Sequence, residues 1–219
     1  MKYKTCASIV EKNPNELNLI LNKALKKSDY AEIRFDFLKP VDIPIALELV
    51  KSKLSKCVCT LRPKHEGGKF SGSEKERKSI IKLIIQYNPF LMDVEYNTIS
   101  KDPKFKKALK ISKTKILVSW HDFNKTSSLT DLKRRFKKMK KISDYVKIVT
   151  MAKSINDASR ILVLYNDIKI KLIAFAMGEE AKFTRILCLY LGSPFTYVSL
   201  GKAIAPGQFS LKEIKSLQN

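Results

Sequence analysis

The run Asp144-Tyr145-Val146-Lys147-Ile148-Val149-Thr150-Met151 decides how this chain folds. It is short, apolar and β-branched, which reads as a buried strand. An amphipathic stretch at 154–166 follows it, and then a second apolar run at 171–177. Strand, helix and strand in that order make a parallel unit. One residue does not fit: Lys147 is a charge inside an apolar strand. A lysine there either snorkels or pairs with a carboxylate, or it has chemical work to do. A desolvated lysine loses proton affinity, and its neutral amine is a nucleophile toward carbonyl carbon. Imine chemistry is thus set against a structural charge, and the local sequence leaves both open.

The same alternation continues outward in both directions. Strands are expected near 3–9, 31–37, 57–61, 90–95, 115–120, 145–150, 171–177 and 196–199. Helices are expected at 15–28, 43–54, 73–86, 103–110, 129–142, 154–166, 184–191 and 210–217. Eight strand–helix pairs in 219 residues fit an α/β fold, a compact (β/α)8 TIM barrel in a single domain over 1–219. An open doubly wound sheet is the alternative, but the chain has no G-x-G-x-x-G and no P-loop. No internal repeat and no domain linker interrupts it. After Arg62, the segment Pro63-Lys64-His65-Glu66-Gly67-Gly68 reads as a tight, hairpin-like turn that projects side chains beyond a strand end.

Composition narrows the function. The net charge is +22, carried by 36 lysines and only seven arginines. The lysines are spread over expected helices, without aromatic interleaving or zinc-finger spacing. They read as a solvated surface rather than a nucleic-acid site. Four cysteines (Cys6, Cys57, Cys59, Cys188) lack metal-ligand spacing and are expected to be buried and reduced. No apolar run nears the roughly 20 residues that span a bilayer, and the first residues read as a strand rather than a signal peptide. A cytoplasmic enzyme without metal is the expectation. In a chain that uses lysine for charge, arginines at strand ends (Arg34, Arg62) and at the start of a late helix (Arg185) imply a need for a planar fork.

Strand alternation groups these residues. Glu32, Arg34 and Asp36 should share one face, with Ile33, Phe35 and Phe37 on the other. Asp93 and Glu95 should oppose Val94 and Tyr96, Lys147 should share a face with Val149, and His121 with Ser119. In a barrel, polar groups at the carboxyl ends of several strands converge. A lysine, a histidine, carboxylates and arginines so gathered suit elimination of water from a small hydroxy-keto acid. A protonated imine acidifies the neighbouring C–H, a histidine relays the proton, and arginine binds a carboxylate. The same lysine would equally suit an imine-forming aldolase.

Seven strings, in order along nearly the whole chain, resemble type I 3-dehydroquinate dehydratases. They are Glu32-Ile33-Arg34-Phe35-Asp36, Thr60-Leu61-Arg62 with Glu66-Gly67-Gly68, Asp93-Val94-Glu95, Ser119-Trp120-His121-Asp122, Val146-Lys147-Ile148 with Met151-Ala152, Met177-Gly178 with Thr184-Arg185, and Ala205-Pro206-Gly207-Gln208. The compact length is similar to archaeal members. The resemblance implies a (β/α)8 barrel, a homodimer in most members, and conversion of 3-dehydroquinate to 3-dehydroshikimate in the shikimate pathway without metal or organic cofactor. It implies Lys147 as the Schiff-base lysine, His121 as general acid/base and Glu66 as the carboxylate that orients His121. Glu32, Arg34, Arg62, Arg185 and Gln208 match substrate-binding positions, and Ser8 matches more loosely. His65, beside Glu66, is expected to be merely exposed.

One position departs from the pattern. Family members commonly carry serine or threonine four residues before the glutamine, and this chain has Ile204. Isoleucine cannot donate a hydrogen bond, so substrate binding should weaken by about 1.5–3 kcal/mol. The aldolase and a basic nucleic-acid-binding protein are the competing readings. Sugar-phosphate aldolases bind phosphate on glycine-rich loops after the seventh and eighth strands, where this chain has Arg185 and Gln208.

Overall fold

A computed structural model describes residues 3–166, 169–201 and 203–217. Residues 7–117 form one compact unit, and residues 1–6 with 118–219 form another. The first unit carries β1 (Thr5–Ile9), α1 (Pro14–Leu25), β2 (Tyr30–Arg34), α2 (Ile43–Val50), β3 (Cys57–Thr60), α3 (Glu74–Gln86), β4 (Leu91–Glu95), α4 (Tyr96–Ser100) and α5 (Pro103–Ile111). The second carries β5 (Ile116–Asp122), α6 (Leu129–Met139), β6 (Tyr145–Met151), α7 (Ile155–Leu162), β7 (Lys171–Met177), α8 (Thr184–Tyr190), β8 (Thr196–Ser199) and α9 (Leu211–Ser216). β1 and β5 begin just across the division. The strand order is β7-β6-β5-β4-β3-β2-β1-β8. It is sequential except that the last strand lies beside the first, which is the order of a (β/α)8 barrel.

Local chemistry explains where the elements start. The Asn13 side chain accepts from the backbone N–H groups of Asn15 and Glu16, with Pro14 as first helical residue of α1. Ser73 caps α3 in the same way. Ser210 and Glu213 form a reciprocal capping box at α9. In the first unit β2 and β3 pair in parallel from Ala31 opposite Cys57 to Arg34 opposite Thr60, and Thr60 then lies opposite Asp93 of β4. In the second unit β6 and β7 pair over seven residues, with Lys147 opposite Ile173. β1, β3 and β4 are buried along their full length, as strands of a helix-covered parallel sheet should be. All four cysteines are buried thiols.

Three details differ from the sequence reading. β2 stops at Arg34, and Phe35–Phe37 form a 3-10 turn. Phe37 therefore does not oppose Arg34; its ring lies 5.3 Å from the guanidinium carbon. Likewise Tyr96 opens the short helix α4 instead of continuing β4. The glycine segment is not a hairpin. Lys64–Glu66 make a 3-10 turn that Gly67 ends at φ +78°, and Phe70 N–H returns to the Arg62 carbonyl at 3.2 Å. Gly68 is packed so tightly that a Cβ there would lie 2.0 Å from the Arg62 carbonyl oxygen.

Candidate active site

In the first unit the charged strand ends are held by ion pairs and hydrogen bonds. Arg62, 4% exposed at the end of β3, donates to Asp93 Oδ2 at 2.6 Å and to Glu95 Oε1 at 2.7 Å. Burial alone would weaken its hold on the proton, but Asp93 and Glu95 outweigh it and raise its pKa. The other Glu95 oxygen accepts from Arg77 of α3 at 2.7 Å. Glu32 accepts from Ser8 Oγ and from Thr60 Oγ1, each at 2.9 Å. Ser8 thus reaches Glu32 from the neighbouring strand. Arg34 holds Asp36 in a two-bond fork at 2.8 Å each. Asp36 also accepts from the backbone N–H of Lys69 at 3.0 Å, which ties the 3-10 turn to the glycine loop.

That loop carries Glu66, which is buried, while its neighbour His65 is exposed. Asn97 donates to Glu66 Oε1 at 3.4 Å. Burial first, then Glu95 and Asp93, outweigh Arg62 and Asn97 and push the Glu66 carboxyl up to about 7. A carboxyl at that value changes charge near neutral pH, which suits proton-transfer work.

The second unit holds the other candidates. Lys147 sits mid-strand on β6 and is 6% exposed. Its Nζ lies 4.1 Å from the centroid of the Tyr197 ring, on β8. Tyr197 is in turn braced edge-on by Phe195 at 5.4 Å. His121 is inside β5, one residue from its end, and on the strand next to Lys147's in the sheet. Its ring stacks with Phe123 at 5.9 Å, and Ser119, on the same face of the strand, is fully buried.

Arg185, in the first turn of α8, is 2% exposed. One NH2 group donates to the Pro206 carbonyl at 3.1 Å, and the guanidinium lies 4.2 Å from the Phe175 ring centroid. Among the described residues it has no carboxylate partner, and its Nε has no hydrogen-bond partner. Burial therefore lowers its pKa to about 10. A guanidinium so placed can donate to an anion.

Gln208 is held by its own loop. Its Oε1 accepts from the Ile204 backbone N–H at 2.9 Å. A backbone donor requires an oxygen there, so the amide NH2 of Gln208 faces away as a donor. Gly207 adopts φ +68°, and a Cβ there would come within 2.7 Å of the Gly178 carbonyl oxygen, so the loop packs against the end of β7.

Sequence reasoning missed two residues. Tyr197 gave no local signal. Arg77 did: it is one of seven arginines among 36 lysines, yet its helical position made it look like a surface charge. Among the described residues no cluster of His, Cys, Asp and Glu side chains could hold a metal ion, and no helix is long and apolar enough to cross a membrane.

Comparison with known proteins agrees with these strings. A 3-dehydroquinate dehydratase from Methanocaldococcus jannaschii is 36% identical over 218 residues, covering 97% of this chain and 96% of that protein. One from Dehalococcoides mccartyi is 39% identical over 201 residues, covering 88% and 87%. The crystal structure of 3-dehydroquinate dehydratase from Geobacillus kaustophilus superposes with a TM-score of 0.90 at 22% identity, covering 99% of this chain and 90% of that one, which establishes the shared fold. The family model for type I 3-dehydroquinase matches residues 5–219, and with these relatives it shows that the chain belongs to the type I 3-dehydroquinase family of hydro-lyases.

Proposed function

We propose that this chain removes water from 3-dehydroquinate to give 3-dehydroshikimate, through an imine on Lys147. The amine adds to the substrate ketone and expels its oxygen as water. The protonated imine draws electrons from the adjacent carbon, and His121 takes a proton from it. The electron pair left behind forms the ring double bond as the β-hydroxyl departs, and His121 returns the proton to that hydroxyl. Water then hydrolyses the imine and frees Lys147, so the net loss is one water. By resemblance, Glu66 orients and assists His121, Arg185 binds the substrate carboxylate, and Glu32, Arg34, Arg62, Gln208 and Ser8 belong to the binding set. The Gln208 amide donates to a substrate hydroxyl, since its oxygen is already engaged by Ile204.

The observation that carries this reading is Lys147: a buried amine against an aromatic ring, mid-strand, in a member of this family. Arg185 supports it, because a buried guanidinium without a carboxylate of its own suits an acidic substrate. The step belongs to the shikimate route to aromatic amino acids. A homodimer is the assembly the resemblance implies, and light scattering of the purified chain tests it.

Borohydride reduction in the presence of 3-dehydroquinate, followed by peptide mass spectrometry, tests the imine. A substrate-sized adduct is expected on the peptide containing Lys147. No adduct, together with no conjugated enone in the ultraviolet spectrum, would refute the reading.

A further inference from the structure

Arg77 belongs to none of the seven strings, yet it is 1% exposed and the largest fully buried side chain among the described residues. It makes five hydrogen bonds. Nε and NH2 donate to the two oxygens of Glu74 at 2.8 and 2.9 Å. NH1 donates to Glu95 Oε2 at 2.7 Å and to the Leu61 carbonyl at 3.0 Å. NH2 also donates to Thr98 Oγ1 at 2.6 Å. An arginine has five N–H donors, so all are engaged. A lysine has three donors on one atom and cannot span these partners.

Two of these contacts bear on Arg62 from different sides. Leu61 is the residue before Arg62, so its carbonyl fixes the backbone from which Arg62 projects. Glu95 is the carboxylate that Arg62 itself grips, through the opposite oxygen. We propose that Arg77 is a positioning residue for the reaction: through Glu95 and the Leu61 carbonyl it fixes the guanidinium of Arg62. The kinetic part rests on the reading of Arg62 as a substrate-binding group. The geometric part does not.

The test uses the full-length chain with Arg77→Met and the charge-conserving Arg77→Lys. Two quantities are measured on each: the 15N signal of the Arg62 side chain by NMR, and kcat and KM for 3-dehydroquinate. Arg62 in the parent should give one sharp signal. It should shift or broaden in Arg77→Met and, to a smaller extent, in Arg77→Lys. KM should rise about tenfold in Arg77→Met, with a smaller change in kcat and partial recovery in Arg77→Lys. Should Arg77→Met fail to fold, Arg77→Lys alone decides. An unmoved Arg62 signal, with KM within about twofold of the parent and only the melting temperature lowered, would make Arg77 a structural brace and overturn the proposal. If the parent itself does not turn over 3-dehydroquinate, the functional reading fails, and the Arg62 signal still decides whether Arg77 positions it.

Discussion

Arg62 and Arg185 are both buried arginines, yet their surroundings push them in opposite directions. Arg62 lies against Asp93 and Glu95, which raise its pKa. Arg185 meets only a carbonyl and an aromatic ring among the described residues, and burial lowers it to about 10. The first unit keeps its charges satisfied by partners of its own. The second holds a buried guanidinium with no carboxylate beside it among the described residues. An arginine already matched to carboxylates holds a shape, whereas one that is buried and unmatched stores binding energy for a ligand. Substitution of Arg62 should therefore cost stability as well as substrate positioning, whereas substitution of Arg185 should cost substrate affinity with little loss of stability.

The largest effect should come from Lys147→Ala, which is expected to lower kcat/KM by about 10⁴-fold or more while leaving the melting temperature at or above that of the parent. A large loss of stability would break the contrast, because it would make Lys147 a structural charge. His121→Ala should reduce kcat by about 10²–10⁴-fold, and His65→Ala should leave it within about twofold. The reverse pattern would transfer the proton relay to His65.

The arginines test the comparison directly. Arg62→Met strands two buried carboxylates and should cost about 3–5 kcal/mol in denaturant unfolding. Arg185→Met strands no carboxylate and should cost little stability, but it should raise KM by about 10–100-fold. Equal stability losses in the two variants would erase the distinction.

Glu66 links the two behaviours through pH. Its carboxyl is raised from 4.5 to about 7, so the protonated form is the one the fold favours. Its stabilising contribution is complete below about pH 4.5 and disappears as pH rises through about 7. Between those limits the parent should lose about 2–3 kcal/mol from this group, and Glu66→Gln should not. Parallel stability curves for the two proteins would refute that account. A gain rather than a loss is expected from Ile204→Ser, which places a hydroxyl beside Gln208. It should lower KM by roughly tenfold, equivalent to about 1.4 kcal/mol. An unchanged or higher KM would mean that the loop already satisfies the substrate.

The fold was legible because each strand announces itself within a few residues. The eight apolar runs correspond to the eight strands, with ends displaced by a few residues. The place of Lys147 inside a buried strand was legible for the same local reason, since one charge disturbs an apolar run. The failures arise where pairing is remote or a strand stops early. The period-two pattern through Phe35 and Phe37 continues in the sequence, but the backbone turns after Arg34, and Asp36 meets Arg34 through that turn. Arg77 finds its partner Glu95 eighteen positions away, and Arg62 finds Asp93 thirty-one positions away. Only scarcity marked Arg77, in a chain whose positive charge is mostly lysine.

Gly68 shows how narrow the loop's tolerance is. A single added carbon at that position would collide with the carbonyl of Arg62 and with its Cβ, at 2.0 and 2.5 Å. Neither atom is the far end of a flexible chain, so the collision can be relieved only by moving the backbone. In a library randomised over 62–70, position 68 would act as a sieve. Variants could diversify at the exposed Lys64, His65 and Lys69, while active clones returned to glycine at 68. Directed evolution toward an altered substrate would then meet one fixed point in this loop, with variation confined to its exposed positions.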